Sequence, residues 1–106
     1  MNKAQQPTRV SDSGGRVLRV LKALRGQTLN GLSNGELARA LGESPSTINR
    51  CLNTLIAEGM AVQLDSGRYA LSVAVLQIAQ AHAEEMARAQ NRINEINQRV
   101  LAGASR

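Results

Sequence analysis

The 106-residue chain has no tryptophan and no phenylalanine, and Tyr69 is its one aromatic residue. It therefore cannot build the aromatic platforms on which proteins stack the bases of single-stranded nucleic acids or RNA loops. Cysteine is almost as scarce. Cys51 has no partner for an internal disulfide, so nothing points to an oxidising compartment and a cytoplasmic location is expected. No stretch approaches the roughly 18 apolar residues of a membrane span, and the polar start MNKAQQPTRVSDSGG has no apolar signal core; neither membrane insertion nor secretion is expected. The one histidine, His82, has no second His and no Cys at ligand spacing, so no metal or other cofactor is expected. Glu84 and Glu85 are adjacent and diverge around a helix, and no serine belongs to a histidine-plus-acid arrangement; an enzyme is not expected.

What the chain does have is positive charge. Thirteen Lys and Arg against eight Asp and Glu give a formal net charge of +5, and residues 1–72 carry nine of the basic and five of the acidic groups. A surface of that sign attracts polyanions, and with stacking platforms excluded, double-stranded DNA is the leading partner. At 11.3 kDa and 42% hydrophobic residues, the length fits one small domain without room for a large catalytic cleft.

Residues 1–13 mix Gln, Pro, Thr, Ser and charge without periodicity and are expected to be a flexible basic arm carrying Lys3 and Arg9. From about Gly14 to Arg25, Val17, Leu18, Val20, Leu21 and Leu24 recur at helical intervals, with Arg16 and Arg19 between them and Gly26 as a stop. Ser33-Asn34-Gly35-Glu36 has the capping-box pattern that opens a helix, which carries Leu37, Ala38 and Leu41 inward and ends at Gly42. Ser44 and Pro45 then supply a cap and a first helical residue for a third helix, closed by Gly59. Its apolar stripe is Ile48, Cys51, Leu52, Leu55 and Ile56; Ser46, Thr47, Asn49, Arg50, Asn53 and Thr54 lie mostly opposite. Two short strands, 61–64 and 68–71, flank Asp65-Ser66-Gly67, and Val62, Leu64, Tyr69 and Leu71 are expected to share the face that packs on the helices.

From Val73 to about Leu101 no Pro or Gly interrupts a helix-favouring composition, and Ser72 is available as its cap. Leu76, Ala79, Ala83, Met86, Gln90, Ile93, Asn97 and Val100 alternate three- and four-residue steps, the seam spacing of a coiled coil, in which Gln90 and Asn97 trade stability for register. Such a helix needs a partner surface, and a second copy of the chain is the simplest one. The expected organisation is a mostly α chain: the arm at 1–13, a winged helix-turn-helix of three helices and a two-stranded wing at 14–72, a long dimerisation helix at 73–102 and a tail at 103–106.

A duplex major groove admits one helix, and its base edges select side chains that donate and accept hydrogen bonds. Ser46, Thr47, Asn49, Arg50 and Asn53 are that set on the third helix. The helix N-termini offer free N–H groups to phosphates through Ser44, Ser46 and Asn34, and the wing tip Ser66, Gly67 and Arg68 is placed to meet a minor groove or phosphate. Lys3, Arg9, Arg16 and Arg19 are weaker candidates for phosphate contact.

The run from Leu32 to Leu71, LSNGELARALGESPSTINRCLNTLIAEGMAVQLDSGRYAL, resembles the winged helix of IclR-type bacterial transcriptional regulators, and RVLRVLKAL from Arg16 resembles that family's first helix. The most specific pieces are Leu37-Ala38, Ser46-Thr47-Ile48 followed by Arg50 and Leu52, and the Gly67-Arg68-Tyr69 return. The resemblance implies a prokaryotic or phage regulator that binds an operator as a dimer, with Ser46, Thr47 and Arg50 reading DNA and the helix after the wing joining two copies. Members of the family continue into a much larger effector-binding domain that the resemblance does not include, so induction by a small molecule is not carried over with it. Two alternatives remain open from the residues alone: a winged-helix module that binds a protein partner through the last helix, and an architectural DNA-binding protein without sequence preference.

Overall fold

The computed structural model describes residues 9–104. Helices α1 (Asp12–Ala23), α2 (Asn34–Leu41) and α3 (Pro45–Ala57) are followed by strands β1 (Ala61–Gln63) and β2 (Tyr69–Leu71) and by helix α4 (Val73–Ala104). This is a winged helix-turn-helix with a long C-terminal helix. The chain divides into two compact units, one ending at Val73 and the other beginning at Ala74.

Local chemistry sets the helix ends. The Ser11 side chain accepts the Gly14 N–H and caps α1, so the helix starts at Asp12, and residues 12 and 13 belong to it rather than to the expected arm. The rest of that arm, except Arg9 and the residues up to Ser11, lies outside the described residues. At α2 the capping box closes in both directions: Ser33 Oγ accepts from the Glu36 N–H at 3.1 Å, and the Ser33 N–H donates to Glu36 Oε1 at 2.9 Å. Gly42, at φ +67°, turns the chain out of α2, and Ser44 caps α3 with Pro45 in its first turn, where a missing N–H costs nothing.

The core is aliphatic. Val20 and Leu24 of the α1 region, Leu37 of α2, and Ile48 and Leu52 of α3 are the largest fully buried side chains, with Cys51 and Leu55 beside them. Burying each Leu- or Ile-sized group contributes roughly 1.5–3 kcal/mol. Because Ile48, Cys51, Leu52 and Leu55 must all point inward, the rotation of α3 about its axis is fixed. Two expected stripe residues fall outside this core: Leu18 and Ile56 are exposed.

The wing departs from expectation in which residues face inward. The antiparallel register pairs Ala61 with Leu71, Val62 with Ala70 and Gln63 with Tyr69. Directly opposed residues share a face, so Val62 and Leu64 cannot lie with Tyr69 and Leu71 across a three-residue connection. Ala61, Tyr69 and Leu71 meet the helical core, and Ala70 is buried too, although its pairing partner Val62 is exposed. The ladder is short, but a bridge extends it: Leu32 and Tyr69 exchange both backbone hydrogen bonds at 2.8 Å. Ser72 does not serve as the expected cap of α4; its hydroxyl donates to the Gly59 carbonyl and its N–H to Met60, closing the wing onto the end of α3.

In the second unit α4 runs through Gly103 to Ala104, two residues past its expected end and roughly 48 Å long at 1.5 Å per residue. None of its residues is buried, and Leu76, Met86, Ile93 and Val100 of the expected seam are exposed.

The bridge sets a testable constraint at Gly31, where φ is +70° and an added Cβ would lie 2.6 Å from the Tyr69 carbonyl oxygen. Gly26, at φ +78° with open space around it, carries only the left-handed penalty. Gly26→Ala is expected to cost about 1 kcal/mol, and Gly31→Ala about 1–3 kcal/mol more because the bridge must open. Denaturant unfolding of the two variants checks this; equal losses would contradict it.

Candidate nucleic-acid interface

With Ile48, Cys51, Leu52 and Leu55 turned inward, the opposite side of α3 presents Ser46, Asn49, Arg50 and Asn53, all exposed. Their spacing of three and four residues places them on one face about two turns long. This row offers the guanidinium, amide and hydroxyl groups that match base edges. Among the described residues no hydrogen bond or ion pair engages the Arg50 guanidinium. Its carbonyl accepts from the Thr54 hydroxyl at 3.0 Å, which leaves Thr54 turned along the helix.

The start of α3 is more fully committed than its sequence suggested. Ser44 Oγ accepts the Thr47 N–H at 3.1 Å, donates to Thr47 Oγ1 at 2.9 Å and lies 3.2 Å from Ser46 Oγ. Ser44 is thus a cap whose hydroxyl is already engaged. Thr47, half-buried, sits on the flank of the row toward α1, whereas Ser46 and Asn49 are exposed. Pro45 has no N–H, and the Ile48 N–H goes to the Ser44 carbonyl at 3.0 Å, so the Ser46 N–H is the group of this turn left for an anion among the described residues. Asn34 Nδ2 donates to the Pro45 carbonyl at 3.1 Å. That bond stitches the N-terminus of α2 to that of α3, so the two positive helix ends converge on one patch.

The wing arginine has partners within the fold that its place beside the wing tip did not suggest. Arg68 donates through Nε to the Asn30 carbonyl at 2.9 Å and through Nη2 to the Gly31 carbonyl at 3.0 Å and Glu36 Oε1 at 2.8 Å. Its guanidinium is a clamp that fastens the wing to the α1–α2 loop and to the first turn of α2. These bonds take Nε and Nη2 and, among the described residues, leave Nη1 without one; Ser66 and Gly67 form the exposed tip, Ser66 Oγ accepting the Arg68 N–H at 3.3 Å. Glu36 serves both the cap and the clamp. The Ser33 backbone N–H and the Arg68 guanidinium beside it hold the Glu36 carboxyl below the ordinary glutamate range.

The weaker candidates scatter. Arg16 on α1 pairs through Nε with Glu43 Oε2 at 3.6 Å, tying α1 to the α2–α3 turn. Arg19 and Arg9 are exposed, and Lys3 lies outside the described residues. The sequence reading missed the partners Asn30, Gly31 and Glu43. Asn30 and Gly31 carried only a loop signal, and Glu43 carried none, because each contact crosses between elements. Among the described residues no group of His, Cys, Asp and Glu is placed to hold a metal, and no helix is long and apolar enough to cross a membrane.

Comparison with known proteins agrees with this geometry. A family model described as the IclR helix-turn-helix domain matches residues 15–65. The chain is similar to the solved structure of HmgR from Pseudomonas aeruginosa, with 32% identity over 73% of this chain and 33% of that one and a TM-score of 0.63. It is also similar to an IclR family transcriptional regulator from Brucella abortus, with 27% identity over 77% of this chain and 32% of that one and a TM-score of 0.61. The chain thus spans about a third of the length of either structure. No curated protein sequence matches it.

The Glu36 clamp gives a pH dependence whose sign follows from the lowered carboxyl. A depressed folded value means stabilisation that is present above the ordinary glutamate value and lost as pH falls through the lowered one. The melting temperature of Glu36→Gln is therefore expected to lie below that of the parent at neutral pH and to converge with it in acid. A gap that stays constant on acidification would contradict the clamp.

Proposed function

Because residues 15–65 match a family model of the IclR helix-turn-helix domain, we propose that this chain is a DNA-binding transcription regulator that reads a duplex sequence with α3 and acts as a homodimer on an inverted-repeat operator. The observation that carries the reading is the exposed row Ser46, Asn49, Arg50 and Asn53, with an unpaired guanidinium at its centre. In this reading Arg50 contacts a guanine edge and the two asparagines contact adenines. The Ser46 N–H and the first turn of α2 at Asn34 take backbone phosphates, and Ser66 and Gly67 approach the neighbouring backbone. Arg9, Arg16 and Arg19 add sequence-independent attraction.

Support for pairing comes from how α4 distributes its charge. In the heptad frame set by Leu76, Ala79, Ala83, Met86, Gln90, Ile93, Asn97 and Val100, the charged residues Glu84, Glu85, Arg88, Arg92, Glu95 and Arg99 all fall outside the seam and the positions flanking it. The uncharged side is wide enough to bury against an identical helix. Two copies joined this way are related by a two-fold axis, so their recognition helices address inverted half-sites.

Selection of bound duplexes from a random pool, run on the full chain, Arg50→Ala and Ile93→Asp at near-physiological salt, tests both parts. The parent is expected to enrich an inverted repeat. Arg50→Ala is expected to lose about 1–3 kcal/mol on that site and to relax the choice of base at one position of each half-site. Ile93→Asp is expected to sediment as a monomer and to lose the repeat. A flat pool from the parent, or an unchanged dimer for Ile93→Asp, would contradict the corresponding part.

A further inference from the structure

The uncharged side of α4 holds two overlapping seams. Both run through Ala79, Met86, Ile93 and Val100; one is completed by Leu76, Ala83, Gln90 and Asn97, the other by Val75, His82, Ala89 and Ile96. The first brings two amides inward, and the second brings only His82. Gln90 already donates its amide N–H to Asn94 Oδ1 at 3.0 Å, along its own helix, so it is not held toward a partner. With the second seam inward, Ile96 takes the place of Asn97, the residues Gln90 and Asn97 move to one edge, and Glu85, Arg92 and Arg99 move to the other. Two parallel copies in register then set Glu85 of one against Gln90 of the other and Arg92 against Asn97, a charge against an amide each time. That alignment covers the helix over all its 32 residues.

We infer that a second copy seats along this second seam and that protonation of His82 opposes the pairing, so that the paired form is lost as pH falls below neutrality. The inference rests on the pairing through α4 proposed above and gives it a control. His82 is the one histidine of the chain, is exposed on α4 and, among the described residues, has no hydrogen bond or ion pair. In the parallel pair it packs in a layer with Ala79, His82, Ala83 and Met86 of the second copy, so the titratable group facing it there is the other imidazole. On its own helix Glu84 lies on the far side, receiving the Gln80 amide at 3.4 Å, and Glu85 stands three residues on at the edge of the seam. An imidazolium in that layer is buried among apolar groups and beside a second positive charge, and both effects disfavour it. In the single chain no residue of α4 is buried, and the imidazolium can turn to water or to Glu85. Pairing therefore favours the neutral imidazole: it is strong above the ordinary histidine range and is lost as pH falls through it. Acid also makes the chain more positive, which by itself strengthens its attraction to DNA, so the control runs against the general effect of charge.

The test is sedimentation equilibrium of the full chain at about pH 7.5 and about pH 5.5 in one salt, a range centred on the ordinary histidine value. Each imidazole that must stay neutral weakens pairing about tenfold over that range, so the self-dissociation constant of the parent is expected to rise about 100-fold. His82→Leu and His82→Gln, which have no proton to gain, are expected to pair equally at both pH values; the glutamine variant separates the charge from the loss of an imidazole in the layer. A rise in the parent below about tenfold, or variants that weaken as the parent does, would overturn the inference. Ile96→Ala is expected to pair less tightly than the parent and Asn97→Ala almost as tightly; the reverse order would show the first seam inward and overturn it too. On DNA, acid is expected to weaken binding of a duplex with two half-sites and not of a duplex with one; equal retention on both would overturn the control. A parent that is monomeric already at neutral pH fails the earlier pairing reading, and this inference falls with it, whereas a parent that pairs equally at both pH values fails this inference alone.

Discussion

The inward rotation of α3 is the constraint on which the rest depends. Four of its side chains, Ile48, Cys51, Leu52 and Leu55, are buried against Val20, Leu24 and Leu37. With Tyr69 packed only at its edge, the shape of that core comes mainly from branched aliphatic groups that fit in few ways. A rotation of α3 by one residue would expose Ile48 or Leu52 and lose roughly 1.5–3 kcal/mol for each. The outward row is therefore a by-product of the core, and Asn49, Arg50 and Asn53 are held in one direction by the burial of their neighbours, with Ser46 also bonded to Ser44. Preorganisation of this kind matters because a reading helix that could roll would lose its register on the bases.

A second layer of order links the ends of elements. Asn34 joins the starts of α2 and α3, Glu43 ties the turn between them to Arg16, and Arg68 fastens the wing to the loop before α2. These are polar contacts at or near the surface, individually worth little. They act on segments whose burial is already settled and so fix positions more than they add stability. Glu36 stands at the junction of two of them, closing the cap of α2 and receiving the wing arginine.

What the sequence revealed and what it hid divide along the same line. The capping box at Ser33, the left-handed Gly42, the Ser44-Pro45 start and the long uninterrupted helix were legible because each is decided within about four residues. The inward faces of the helices followed from periodicity, with Leu18 and Ile56 as edge positions that periodicity alone cannot resolve. The wing was misread where pairing mattered: Val62 belongs with Ala70, and no local signal announces the bridge from Leu32 to Tyr69. Arg68 sits beside a hairpin glycine and reads as a free tip charge, yet its partners lie more than thirty residues away in sequence. The candidate site was legible for the same reason as the helices, since a polar face opposite an apolar stripe is a local pattern, whereas the choice between a free arginine and a clamped one is not.

The most direct test of the account couples one side chain to one base. Dissociation constants would be measured for the parent and Arg50→Ala on the preferred duplex and on versions in which each guanine in turn is replaced by 7-deazaguanine, which lacks the N7 acceptor. At one guanine per half-site the replacement is expected to weaken the parent by about 1–3 kcal/mol and to leave Arg50→Ala unchanged. Losses that simply add at every position would show that Arg50 reads no base, and the proposed role of the α3 row would fail.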